Sequence, residues 1–214
     1  MLLKENDRLA ILDLYKILDS GSEQAFDDLS ILAANICDTP ISSISFISSD
    51  RQWFKSSVGF DLAETPRDVS FCSKAIEYQE MTIVNDMQLD ARFKDLPGVT
   101  RDGIRFYAGV PLEVRSGVRL GTLCVMDLKP RELSKKQISS LKTLARCVVA
   151  QLDLRRAKHD LDSLNEILPM CAWCRKIRIE DQENEPTWQP LDEYVMSVTP
   201  VTHCICSNCS KQFD

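Results

Sequence analysis

The sequence predicts an α+β fold, and three observations carry that prediction. Apolar residues recur at helical spacing over 3–19, over 23–37 and from about 134 to 167. Two stretches between them, 41–58 and 105–127, are rich in β-branched and aromatic residues; 41–47 alternates with a period of two. Short turns join these strands as hairpins, so the sheet is antiparallel, of five to six strands, with helices packed on it.

The first helix carries Leu9, Ile11, Leu12, Leu14, Tyr15, Ile17 and Leu18 and breaks at Asp19-Ser20-Gly21-Ser22. Ser22 is placed to cap a second helix bearing Phe26, Leu29, Leu32, Ala33 and Ile36, which Pro40 ends. In 41–47, Ile41, Ser43, Ser45 and Ile47 alternate with Ser42, Ile44 and Phe46. A turn at Ser49-Asp50-Arg51 returns the chain along 52–58. Residues 59–69 read as loop, 70–78 as a short helix and 81–84 as a short strand. The long connection 87–103, with Pro97-Gly98 and Asp102-Gly103, has the length of a binding loop. Strands 105–114 and 118–127 flank Arg115-Ser116-Gly117. Ser134-Lys-Lys-Gln137 has the form of a capping box before the long last helix.

Length and composition restrict the function. The 214 residues suit one ordinary domain and a small module, and 44% hydrophobic with 27% charged residues is globular. A net charge of −6 excludes a basic nucleic-acid footprint and argues against anionic membranes. No apolar run approaches the ~20 residues of a membrane span, and the N-terminus reads as an amphipathic helix; a cytoplasmic location is expected.

Five of nine cysteines fall in the last 44 residues. Cys171/Cys174 and Cys206/Cys209 form two CxxC pairs separated by residues 175–205, a spacing suited to one tetrahedral Zn²⁺. His203 or Cys204 is a possible substitute ligand. A redox-active dithiol pair and ordinary buried cysteines are the alternatives. A closed four-thiolate site leaves no position for substrate. Ile177, Trp188, Leu191, Tyr194 and Val195 supply only a very small core, so metal is expected to fold this tail. Residues 166–214 hold four basic and eight acidic side chains, which favours a protein partner over DNA.

The blocks YKILDSGSEQAFDDL, ISSISFISSDRQWFKSSVGF, TPRDVSFCSKAI, IVNDMQLDARFKDLP, IRFYAGVPLEV and LGTLCVMDLKPREL occur in order. Together they resemble a bacterial GAF domain over about residues 5–155. That resemblance implies a PAS-like sheet with helices on one face and a ligand pocket on the other, and a sensory or dimerising role. The tail, with LPMCAWCRKIR, WQPLDEYV and THCICSNC, is similar to a zinc-ribbon-like module that follows PAS or GAF domains, although Cys204 stands where that pattern has Gly. The expected organisation is a sensory domain over 1–155, a helical linker over 156–168 and the module over 169–214.

Trp53, Phe54, Phe71, Cys72, Phe106 and Tyr107 are the candidate aromatic and thiol walls of a small-molecule pocket, with Asp86, Arg92 and Arg105 as polar anchors. The alternative is that the same aromatics are plain core and that Arg92 simply pairs with Asp86. Ser73 follows Cys72 where bilin-binding relatives have His, and His159 and His203 lie outside the sensory core. Bilin attachment and histidine-ligated haem are therefore disfavoured. Leu141, Val148 and Leu152 approach a heptad seam, which makes a homodimer the expected assembly; the alternative is that this apolar face packs on the domain's own sheet. No catalytic base accompanies Cys72, so the chain is expected to be a sensor and not an enzyme. The alternatives are a thiol-dependent redox enzyme or switch using Cys72 or the CxxC pairs, and a ligand-free dimer scaffold.

Overall fold

The computed structural model describes residues 5–114, 117–164, 170–171, 173–179 and 187–198. The chain divides into two compact units, Met1–His159 and Asp160–Asp214. The first unit is built on six strands: β1 (Ile41–Ile47), β2 (Arg51–Val58), β3 (Glu64–Pro66), β4 (Thr82–Val84), β5 (Phe106–Glu113) and β6 (Arg119–Asp127). They lie in the order β3-β2-β1-β6-β5-β4, and all five pairings are antiparallel. Helices α1 (Glu5–Leu14), α2 (Gln24–Cys37) and α5 (Lys135–Leu164) complete the frame with α3 (Phe71–Ala75) and α4 (Pro97–Thr100). The loops 59–69 and 87–103 are thus more ordered than the sequence predicts: the first contains β3 and a 3-10 turn at Arg67–Val69, the second contains α4.

The period-two pattern of β1 divides its side chains between two cores. Ile44 and Phe46 join Phe26, Ala33, Leu141, Val148 and Leu152 under the long helices. Ser43, Ser45 and Ile47 alternate with them and so project from the opposite face. There Ile47 joins Cys72, Met87, Phe93, Tyr107 and Cys124. Ser42 reaches the helical side as well, its hydroxyl donating to the Ser30 carbonyl of α2 at 2.6 Å. The sheet is therefore covered on both faces, which is why residues 41–47 are buried almost throughout.

Capping follows the sequence at one helix and departs from it at another. Ahead of α5, the Ser134 amide donates to Gln137 Oε1 at 2.9 Å and the Gln137 amide to Ser134 Oγ at 3.3 Å, which is the capping box. Helix α2 starts after Glu23, not Ser22; the Ser22 hydroxyl donates instead to Asp27 Oδ2 at 2.7 Å. Its end is set by Asp38 in the left-handed region (φ 52°), before Pro40, with the Thr39 amide returning to the Ala34 carbonyl.

Leu141, Val148 and Leu152 do not form an outward seam. They are buried in the domain's own core, because the stripe that spaces as a heptad also matches the row facing the sheet. A different stripe of α5 points to solvent: Cys147, Ala150, Leu154, Ala157 and Leu161, at alternating spacings of three and four.

The N-terminal helix is tied down by charge. Glu5 accepts from Arg8 and from Arg67, and those bonds outweigh burial to hold its carboxyl at about 2, against an ordinary 4.5. A depressed folded pKa stabilises above the unfolded value and loses that contribution as pH falls. The urea midpoint should accordingly decline between pH 4.5 and 2. Glu5 is nearly half exposed, so screening holds this to less than about 1 kcal/mol. In Glu5→Gln that segment of the pH profile flattens.

In the second unit, β7 (Ile177–Ile179) and β8 (Thr187–Gln189) form an antiparallel pair, and α6 spans Leu191–Val198. Ile177 is buried, while Trp188 and Leu191 stay about half exposed.

Candidate functional site

The sheet face opposite the long helices holds the most concentrated chemistry in the first unit. Its floor is set by register: Ser43 lies opposite Cys124, Ser45 opposite Thr122, and Gly109 opposite Cys124. Above it sit α3 and the 87–103 connection. Cys72 Sγ, from α3, is 3.8 Å from Cys124 Sγ. The Tyr107 hydroxyl lies 3.5 Å from the Cys72 sulfur, and Ser43 Oγ lies 3.2 Å from that of Cys124.

Aromatic rings close the site. Phe93 stacks on Tyr107 with centroids 6.2 Å apart, and Phe71 meets Tyr107 edge-on at 5.9 Å. Two glycines make room for them. A Cβ on Gly109 would lie 2.2 Å from the Tyr107 hydroxyl oxygen, and one on Gly98 2.4 Å from Phe71 Cζ. Neither glycine occupies a left-handed conformation; close approach alone requires them.

A chain of polar groups fastens α3 to the sheet. The Ser73 amide donates to Ser70 Oγ at 2.9 Å, the Ser70 hydroxyl donates to Gln52 Oε1, and Gln52 Nε2 donates to Ser45 Oγ at 3.0 Å. Ser70→Ala removes the cap and orphans the buried Gln52 carbonyl oxygen, so it should cost about 1–2 kcal/mol in urea unfolding. Ser70→Asn, which keeps an acceptor, should recover part of that loss.

The predicted site residues do not form one pocket. Phe71, Cys72 and Tyr107 come together on this face. Trp53 and Phe106 lie on the opposite face, packed beneath the long helices, because their strand positions have the other parity. Phe54 pairs edge-on with Phe60 at 4.9 Å. Arg105 binds Asp86 through two bonds, one of 2.8 Å from Nε. Arg92 is paired with Asp90 instead of Asp86. Asp86 lines an open depression beside β4 with Ile83, Asn85 and Leu89. Phe93 and Gly109 escape the sequence reading, which takes Gly98 only as a loop residue, although Phe93 is the one aromatic within the long connection.

In the second unit, Cys171 and Cys174 share a tight turn. The Cys171 amide donates to the Lys176 carbonyl at 2.8 Å and the Arg175 amide to the Cys171 carbonyl at 2.9 Å, with Arg175 in the left-handed region (φ 60°). Backbone amides of Cys174 and Trp173 directed at the Cys171 sulfur hold its thiol below the ordinary range. A turn that favours thiolate fits a metal ligand. Cys206, Cys209, His203 and Cys204 lie outside the described residues, and among the described residues no three metal-ligating side chains meet.

An antiparallel sheet with long helices on one face and a closed, aromatic-capped core on the other fits the class of small α+β sensory domains. More specifically, the GAF domain family's sequence profile matches residues 7–152, and the chain belongs to that family. It is similar to a cyclic di-GMP phosphodiesterase of Pseudomonas aeruginosa, 39% identical over 160 residues, which is 74% of this chain and 27% of that protein. The chain thus spans about a quarter of that relative's length. Among solved structures it is similar to the GAF domain of a phosphoenolpyruvate-protein phosphotransferase from Acinetobacter, at 20% identity and TM-score 0.54, covering 73% of this chain and 97% of the other. It is also similar to free methionine-R-sulfoxide reductase from Neisseria meningitidis, at 12% identity and TM-score 0.53, covering 74% and 98%. Those likenesses show the fold alone. The expectation that the chain stands outside enzymes is corrected by the Pseudomonas relative, which is named for a catalytic activity. A sensory role fits the family, and no helix among the described residues is long and apolar enough to cross a membrane.

Proposed function

We propose that this chain is the sensory portion of a system that turns over cyclic di-GMP, and that it works as a homodimer through α5. The similarity to a phosphodiesterase over three-quarters of the chain carries this reading. Residues 7–152 are the GAF domain with its closed, aromatic-capped face, and the contribution of that domain is to govern turnover. Deleting the chain from its cell should shift the cyclic di-GMP concentration several-fold, read by mass spectrometry of extracts. An unchanged concentration across growth conditions would overturn the reading.

The dimer has its own support. Cys147, Ala150, Leu154, Ala157 and Leu161 repeat as positions a and d of a heptad, on a stripe of α5 that the sheet leaves uncovered. In a parallel pair each Cys147 meets its counterpart. Mild oxidation should yield a covalent dimer that Cys147→Ser abolishes, and Leu154→Glu should leave a monomer in native mass spectrometry. A monomeric wild-type chain at micromolar concentration would remove the proposal.

The second unit is proposed to fold around one structural Zn²⁺ held by Cys171, Cys174, Cys206 and Cys209, and to dock a protein partner. The thiolate-favouring turn at Cys171 supports this. Purified reduced protein should contain one zinc per chain; zinc-free protein that keeps its structure in chelator would refute it.

A further inference from the structure

We propose that Cys72 and Cys124 are a reversible thiol modification site, closing to an intramolecular disulfide when the domain meets a hydroperoxide. This goes beyond the cyclic di-GMP reading and needs only the fold. The two sulfurs are 3.8 Å apart on separate elements, one in the single turn of α3 and one in the central strand β6. A disulfide requires about 2.05 Å, so closure asks for a displacement of under ~2 Å, taken up by a five-residue helix rather than by the sheet.

The surroundings distinguish this pair from the other cysteines of the first unit. Cys37 lies in the other core, beneath the long helices, and burial pushes its thiol up to about 11. Cys147 stands exposed on α5. At Cys72, by contrast, the Cys124 thiol at 3.8 Å and the Tyr107 hydroxyl at 3.5 Å meet one sulfur, and hydrogen bonding, chiefly from Cys124, holds its thiol below the ordinary range against the opposing effect of burial. Cys124 is pushed well above its ordinary value by that same hydrogen bond and by burial. The arrangement is thus polarised, with Cys72 as nucleophile and Cys124 as the thiol that resolves it. The Thr122 hydroxyl, fully buried beneath them, makes no protein hydrogen bond of ordinary length. It is available to the sulfenic oxygen that forms in the first step.

The chemistry balances. The Cys72 thiolate attacks one peroxide oxygen; the S–O bond forms, the O–O bond breaks, and the departing oxygen leaves as water or alcohol with a proton. The Cys124 sulfur then attacks the Cys72 sulfur. The S–S bond forms, the S–O bond breaks, and hydroxide leaves as water with the Cys124 proton. Two electrons pass from the thiols to the peroxide. Both sulfurs are buried, so peroxide reaches them through openings of α3, and the reaction should be slower than oxidation of exposed Cys147. The product staples α3 to β6 and fixes the closed face.

The test uses the full, reduced chain treated with hydrogen peroxide, quenched by alkylation in denaturant and mapped by peptide mass spectrometry. The expected product is a Cys72–Cys124 linked peptide, absent after dithiothreitol, with a raised melting midpoint in the oxidised form. In Cys124→Ser, Cys72 should instead be trapped by dimedone as a sulfenic acid. Both thiols remaining alkylatable, either sulfur ending as a sulfinic acid, or Cys72 pairing preferentially with Cys171 or Cys174 would each overturn the proposal. Peptide mapping of the native chain distinguishes these outcomes even if the variant fails to fold.

Discussion

Replacing Glu23 by Gln lowers the unfolding free energy by about 2 kcal/mol, read from the urea midpoint at unchanged slope. Glu23 joins three elements that are distant in sequence. Its Oε1 accepts from Lys55 Nζ of β2 at 2.7 Å and from Arg155 Nε of α5 at 2.8 Å. Arg155 also donates to the Tyr15 and Lys16 carbonyls, each at 2.9 Å. The Lys55 side chain is wholly buried, against the Phe26 ring at 5.3 Å. Without the carboxylate its ammonium is left with neutral acceptors, the Ser20 hydroxyl, the Gly21 carbonyl and the introduced amide oxygen, and with no counter-charge. A fully buried pair broken on one side costs about 3–5 kcal/mol; Glu23 is a third exposed, and solvent reduces the figure. Burial acts to raise the Glu23 carboxyl, but Lys55 and Arg155 prevail and depress it. Its contribution is therefore complete above 4.5 and disappears as pH falls through the folded value. The double variant Glu23→Gln/Lys55→Met should regain part of the loss, since no charge is then left buried.

Gly121→Ala costs about 3 kcal/mol, and the soluble yield should fall with the urea midpoint. A Cβ there would lie 1.8 Å from the Ser45 carbonyl oxygen and 2.9 Å from Phe46 Cα, both backbone of the adjoining strand β1. Backbone in the centre of a sheet has no rotamer to change, so the β1–β6 ladder must separate locally. Gly21→Ala is the control: a Cβ there meets nothing within 4 Å, and stability should be unchanged or slightly higher. Equal losses at the two positions would refute the steric account.

The elements were legible because their signals are local. The two hairpins, the capping box at Ser134 and the long last helix are each written in short runs of neighbouring residues. The candidate site was only partly legible. Parity along a strand says which residues share a face, but the bulge between Ile44 and Ser45 shifts the pairing of β2. Trp53 and Lys55 both end beneath the helices. Likewise, Phe106 and Tyr107 are adjacent in sequence and part to opposite cores. Charge pairing was less readable still, since Arg92 chose the carboxylate two residues away over Asp86.

By itself the sequence determined the α+β class, the antiparallel hairpins, the family resemblance and the double CxxC, because periodicity, turn chemistry and ligand spacing are properties of short segments. Only the tertiary structure decided that Cys72 faces Cys124, that Glu23 ties Lys55 to Arg155, and which stripe of α5 is buried. Those facts depend on strand order and helix rotation, which arise from packing the whole sheet at once: residues 52 positions apart meet there through register, a relation that no local pattern encodes.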